Sequence, residues 1–156
     1  MKIEKPFPGI VFDRMGQEDL EQVMLIENAS FPKPWRVSFF ERQLRYPQKS
    51  TFCYVARLKD EVLGYIVFNF VCDEAHILNI AVDPDLRQQG VGRYLLASAL
   101  DFVRKQSGTM VYLEVGVNNS AAQHLYGQFG FEVCGVLKRY YSDGEDAYIM
   151  RKVLQD

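Results

Sequence analysis

Glu114 is a lone carboxylate in an apolar run, VYLEVGV at 111–117. Taking an ionised carboxylate out of water is costly unless a partner or a reaction employs it. Strand alternation puts Val111, Leu113, Val115 and Val117 on one face and Tyr112, Glu114 and Gly116 on the other. A carboxylate placed this way is a general base, half of a structural ion pair, or a solvated edge residue. A second candidate is LRQQGVGRYLL at 86–96, where Gly90 and Gly92 stand at the start of an apolar-periodic helix. A helix start has backbone N–H groups without internal partners and a partial positive charge. Glycines there let a bulky anion approach those groups with no Cβ in the way. Arg87 and Arg93 flank the pair and add positive charge. The chemistry implied is capture of a phosphate or pyrophosphate, with helix packing as the other reason for small residues at 90 and 92. A Walker loop is excluded because neither glycine precedes a lysine. A dinucleotide fingerprint is excluded because its third glycine would fall at Leu95.

The elements that must position these residues follow from spacing. GQEDLEQVMLIENASF (16–31) carries Leu20, Val23, Met24 and Ile26 on helical spacing with acids early, an amphipathic helix. PKPWRVSFFERQLRYP (32–47) predicts a second helix bounded by prolines. Thr51–Leu58 and Val62–Val71 predict two strands joined by a turn at Lys59–Asp60–Glu61. Ala75–Val82 predicts a third, ending at Asp83–Pro84. Val91, Tyr94, Leu95, Ser98, Ala99 and Phe102 share one helical face, with Arg104 and Lys105 in the last turn and Gly108 as the stop. With the apolar strand at 109–117, residues 75–117 form a strand–helix–strand unit long enough for a right-handed parallel crossover. NNSAAQHLYGQFGF (118–131) predicts a short helix capped by Asn118 or Asn119 and ended by Gly130. FEVCGVLKRYY (131–141) and DAYIMRKVL (146–154) predict two last strands joined through SDGE. The expected class is α/β, a mixed central sheet of about six to seven strands with helices on both faces.

The chain has 156 residues, the size of one domain, and a single domain over 1–156 is expected. Apolar residues at 48% and charged residues at 24% argue for a packed core over disorder. A net charge of −2 offers no whole-protein case for nucleic-acid binding. No apolar run approaches the ~20 residues a membrane span needs, and MKIEKPFPGIVF lacks the apolar stretch of a secretory signal. A cytoplasmic protein is expected, with no membrane or direct nucleic-acid partner. Cys53, Cys72 and Cys134 stand far apart, which argues against a disulfide framework or zinc site and reads as buried small hydrophobes. His76 and His124 are also distant, so no metal is expected.

Arg87-x-x-Gly90-x-Gly92 follows a strand ending NIAVDP, and LEV, Asn119, Tyr126 and GF (130–131) come after it. Together these motifs resemble the GNAT acetyltransferase superfamily over roughly residues 75–150. Within it, DEAHILNIAVDPDLRQQGVGRYLL, LEV with NNSAA, LY and FGF, KRYYSDGEDAYIM and FPKPW are similar to the RimI-type ribosomal-protein-alanine N-acetyltransferases. The resemblance implies a GNAT fold and direct acetyl transfer from acetyl-CoA to a protein N-terminus, the N-terminal alanine of a small-subunit ribosomal protein. It implies coenzyme contacts at Arg87, Gln88, Gln89, Gly90, Val91, Gly92 and Arg93. The backbone of Ile80, Ala81 and Val82 would pair with the pantetheine amides, and Asn119 would line its path. Glu114 then acts as base through water and Tyr126 as the acid that protonates the departing thiolate. Trp35, Tyr140 and Tyr141 face the peptide by the same resemblance, with packing as the alternative for each. One position departs: the family often reads LEVR where this chain has Gly116. A small-amine acetyltransferase and a non-catalytic acyl-CoA-binding module stay open as other readings.

Overall fold

The structure is a computed structural model and describes residues 2–47 and 50–154. Its first half holds β1 (Val11–Arg14), α1 (Leu20–Ser30), α2 (Val37–Arg45), β2 (Thr51–Leu58), β3 (Glu61–Val71) and β4 (Glu74–Val82). The second half holds α3 (Val91–Lys105), β5 (Met110–Gly116), α4 (Ser120–Gln128), β6 (Glu132–Leu137) and β7 (Ala147–Val153). Two sequence expectations are corrected in length. α2 starts at Val37 rather than residue 32, because Pro32 and Pro34 hold the chain out of the α region ahead of it. β6 stops at Leu137 rather than 141, and Arg139 beyond it sits at φ 50°, in left-handed backbone no strand accommodates. β1 is an element the spacing did not announce: only Phe12 of its four residues packs inward, stacked on Tyr54 at 4.4 Å between ring centroids.

The sheet has seven strands in the order β1-β2-β3-β4-β5-β7-β6, antiparallel except for the β4–β5 pair. β4, α3 and β5 are therefore the parallel crossover that 75–117 predicts. Alternate residues of the central strands feed two cores. Tyr54, Ala56, Ile66 and Phe68 pack with Leu95, Leu96, Ala99 and Val103 of α3 and with Tyr126 of α4. Val55, Tyr65 and Val67 pack with Val23 and Ile26 of α1 and Phe40 of α2. The mixed sheet thus carries helices on both faces, as expected. The cysteine expectation is overturned: Cys72 and Cys134 are exposed, and only Cys53 is partly covered, where burial pushes its thiol up to about 11. All three are free thiols.

The feature that makes a site is where two strands part. β4 and β5 are paired only at Glu74–Met110, Ala75–Val111 and His76–Tyr112. Immediately beyond, the β3–β4 register skips Leu78, since Val67 faces Asn79 while Phe68 faces Ile77. That extra residue is a bulge, which bends its strand and sharpens the local twist. The bend directs the rest of β4 along β3 and leaves a fork between it and Leu113–Gly116 of β5. Ile80, Ala81 and Val82 pair with Ile66, Tyr65 and Gly64 on the β3 side and, among the described residues, have no strand partner on the other.

Candidate active site

Glu114 sits on β5 two residues past the last β4 pairing. Val111, Leu113 and Val115 are buried in the α3 core, so alternation turns Glu114 to the opposite face, as the sequence predicts. Its carboxylate lies 2.7 Å (Oε2) and 3.0 Å (Oε1) from His76 Nε2. The Tyr140 hydroxyl donates to Oε1 at 3.1 Å. The His76 hydrogen bond, with its Coulomb attraction and the Tyr140 bond, outweighs partial burial and holds Glu114 below the usual carboxylate range. Glu114 is thus ionised at neutral pH. Its side chain is 17% exposed and that of His76 39%, so the pair opens to solvent through the imidazole.

Tyr126 arrives from the other face of the sheet. The residue is 7% exposed within the α3 core, its ring 5.9 Å from that of Phe131. Among the described residues its hydroxyl makes no side-chain or backbone hydrogen bond. Burial, with a smaller contribution from Tyr141, pushes this phenol up to about 12. It keeps its proton over the whole neutral range. Tyr141 lies within electrostatic reach of both Tyr126 and Glu114, and its own hydroxyl is pushed up to about 12, by burial first.

The glycine segment lies at the end of the same β4 strand. Gly90 is the N-cap of α3 at φ 94°, left-handed backbone that favours glycine, and supplies no side-chain cap. Tyr94 N–H donates to the Gly90 carbonyl, so the preceding N–H groups of Val91, Gly92 and Arg93 are the ones a helix start leaves over. A Cβ at Gly92 would lie 3.7 Å from both Leu125 Cδ2 and Val82 Cγ2, ordinary contact. Packing therefore does not demand glycine at 92, and the open approach to the N–H groups is what it provides. Arg87, Gln88 and Gln89 are exposed on the loop, with Gln88 at φ 62°. Arg87 Nη2 donates to Ser30 Oγ at 3.1 Å. The Arg93 guanidinium bonds Gln128 and stands 5.1 Å over the Phe129 ring, so its side chain is engaged at the end of α4 and its backbone remains at the helix start. Asn119 caps α4, its Oδ1 accepting from Ala122 N–H at 3.1 Å.

The fork brings together Glu114, Tyr140 and Tyr141, whose rings meet edge-on at 5.0 Å. Trp35 stands apart: its ring packs on Phe39 at 4.4 Å and Phe40 at 5.8 Å, and its backbone N–H donates to the Oε2 of buried Glu27 at 2.9 Å. One residue escapes sequence reasoning: His76 reads only as a metal-ligand candidate, yet a parallel β4–β5 pair places residue 76 beside 112 and so within reach of 114. The Glu145 carboxylate fills the space over Gly116. Among the described residues no group of three or more acidic, histidine or cysteine side chains is placed to hold a metal.

Residues 20–131 match the acetyltransferase (GNAT) family, and the chain belongs to it. It is an acetyl-CoA-dependent N-acetyltransferase, of the type that takes in bacterial ribosomal-protein-alanine enzymes and archaeal N-alpha-acetyltransferases. A Bacillus subtilis protein, provisionally named a ribosomal protein bS18-alanine N-acetyltransferase, is 40% identical over 139 residues, covering 87% of this chain and 90% of its own. The N-alpha-acetyltransferase of Sulfurisphaera tokodaii is 34% identical over 145 residues, covering 85% and 86%. The crystal structure of the ribosomal-protein-S18-alanine N-acetyltransferase from Escherichia coli matches with a TM-score of 0.85 at 30% identity, covering 94% of this chain and 95% of that one.

Proposed function

We propose that the chain, acting as one domain, acetylates the α-amine of a protein N-terminus in a single direct step. The acceptor we favour is the N-terminal alanine of a small-subunit ribosomal protein, met in the cytoplasm. The observation that carries this reading is an ionised Glu114, held by His76 and Tyr140 beside the fork, with Tyr141 in electrostatic reach of both Glu114 and the protonated phenol of Tyr126. The names of the Bacillus and Escherichia coli relatives support the ribosomal acceptor.

The free half of β4 and the open start of α3 fit coenzyme A. Unpaired backbone at Ile80, Ala81 and Val82 suits the pantetheine amides, and the N–H groups at 91–93 suit the diphosphate. Arg87, Gln88 and Gln89 rim that cradle, and Asn119 and the small Ala122 flank the path toward Tyr126. When bound, acetyl-CoA supplies the thioester acetyl group and departs as a thiolate.

Glu114 accepts the proton of the attacking amine through a water, and His76 offers that proton a way to solvent. The amine nitrogen bonds to the acetyl carbon as the carbon–sulfur bond breaks. Tyr126 gives its proton to the sulfur. An α-amine with a pKa of about 7.7–8 has a substantial neutral fraction at pH 7, whereas a lysine amine near 10.4 is almost wholly charged. A carboxylate as weak a base as Glu114 suits the former. Tyr140 and Tyr141 face the acceptor, and Trp35 shapes the α1–α2 segment on its other side.

The test is acetylation of a peptide panel beside a small-amine panel, with the modified nitrogen mapped by mass spectrometry. Transfer to the α-amine of alanine-starting peptides is expected. Transfer confined to small amines, or to lysine side chains, overturns the reading.

A further inference from the structure

β5 lacks a side chain where its polar face meets the acceptor side. Gly116 stands two residues from Glu114 on that face, roughly 7 Å along the strand. A Cβ there would lie 2.6 and 2.7 Å from the two oxygens of Glu145, so the Glu145 carboxylate occupies the room that a residue 116 side chain would take. Glycine is not imposed by the backbone, since Gly116 has no positive φ. The carboxylate itself is the neighbour that defines the space.

Among the described residues Glu145, like Asp143, is a loop acid that lacks a charged partner. Asp146 takes Lys138 Nζ at 3.2 Å and Arg139 N–H at 2.8 Å. Asp143 takes the Glu145 N–H at 2.9 Å. Glu145 accepts only the Asn118 N–H, at 3.2 Å through Oε1, and among the described residues no lysine, arginine or histidine pairs with it. The Tyr141 N–H donates to the Glu145 carbonyl at 3.1 Å, and the neighbouring Tyr140 hydroxyl donates to Glu114 at 3.1 Å, so one short loop joins the two acids. A half-covered carboxylate with one oxygen uncommitted is a strong acceptor for a guanidinium or ammonium.

Resting on the proposed peptide reaction, we infer that Glu145, seated in the room that Gly116 leaves free, selects acceptors with a cationic side chain in the first two residues behind the reacting amine. Successive Cα atoms are about 3.8 Å apart, so a lysine or arginine at either position spans the distance from Glu114 to Glu145. Gly116 and Glu145 together set the specificity of the site, while Glu114 and Tyr126 set its chemistry.

The experiment compares kcat/KM for three peptides that start with alanine and differ only at the second residue (arginine, alanine or glutamate), with a second series varying the third. The wild-type enzyme prefers arginine over glutamate by about tenfold or more in one of the two series. Glu145→Gln keeps an oxygen for the Asn118 N–H but removes the charge, and brings that ratio close to one. Gly116→Arg, which sets a guanidinium against Glu145, removes the preference in the same way, with circular dichroism confirming that it folds. α-Amine acetylation with no charge preference, or a preference that Glu145→Gln retains, overturns the inference while leaving the peptide reaction standing. Failure of the wild type to acetylate any peptide α-amine overturns both.

Discussion

Glu114 and Tyr126 are matched opposites. The first is kept charged by a hydrogen-bonded imidazole, the second is kept neutral by burial, so the proposed base and acid each hold the needed protonation state at pH 7. Glu114→Gln and Tyr126→Phe are each expected to lower kcat by about a hundredfold, the usual scale for a general base or acid, while the dissociation constant of acetyl-CoA stays put. Stopped-flow turnover beside calorimetric binding separates the two effects. His76→Ala removes the chief influence that lowers the Glu114 pKa, so its carboxyl is expected to titrate at higher pH, followed by carbon NMR of labelled glutamate. The sign carries over to stability. Glu114 titrates lower in the folded than in the unfolded chain, so its stabilisation is complete above about pH 4.3 and fades as pH falls through the folded value. In His76→Ala that share of acid sensitivity is expected to shrink, which equilibrium unfolding between pH 3 and 7 measures.

At the scale of elements, two devices build the site. The bulge at Leu78 opens the fork, and the glycine pair opens the start of α3. The two glycines are not equivalent, and substitution separates them. Gly90→Ala places an L residue at φ 94° and moves its Cβ to 3.2 Å from Pro6, so it is expected to cost about 1–2 kcal/mol of stability. Gly92→Ala meets only ordinary contacts and is expected to fold as stably as the wild type or slightly better, while binding acetyl-CoA at least tenfold more weakly. Urea unfolding with calorimetric titration checks both. Unchanged coenzyme affinity in Gly92→Ala would remove the cradle from the proposal.

Over the whole molecule, the site lies between two cores on opposite faces of one sheet. Tyr126 belongs to the α3 core, whereas Glu114 faces the side where α1 and α2 cover β3 and β4. A ligand lodged in the fork bridges the strands that the bulge keeps apart. Acetyl-CoA at 100 times its dissociation constant is therefore expected to stabilise the fold by about 2.7 kcal/mol. In a thermal melt this amounts to a rise of several degrees. A coenzyme-insensitive melting temperature counts against binding at the fork. No helix among the described residues is long and apolar enough to cross a membrane.

Much of this architecture is local in origin. The helical spacing from Val91 to Phe102, the alternation around Glu114, and the turn residues between strands determine α3, β5 and the hairpins without reference to the rest of the chain. The glycines before α3 and the carboxylate in β5 are legible for the same reason: each is a residue type at odds with its immediate neighbours. What tertiary structure alone decided are relations between segments far apart in sequence. His76 meets Glu114 only because a parallel crossover sets β4 beside β5, and the fork exists only because Leu78 has no partner on β3. Arg93 turns to Gln128, and Trp35 packs into the α2 aromatics, because long side chains follow the partners that folding supplies. Glu145 over Gly116 is a side chain filling a void, and a void is a property of packed space that no one-dimensional pattern contains.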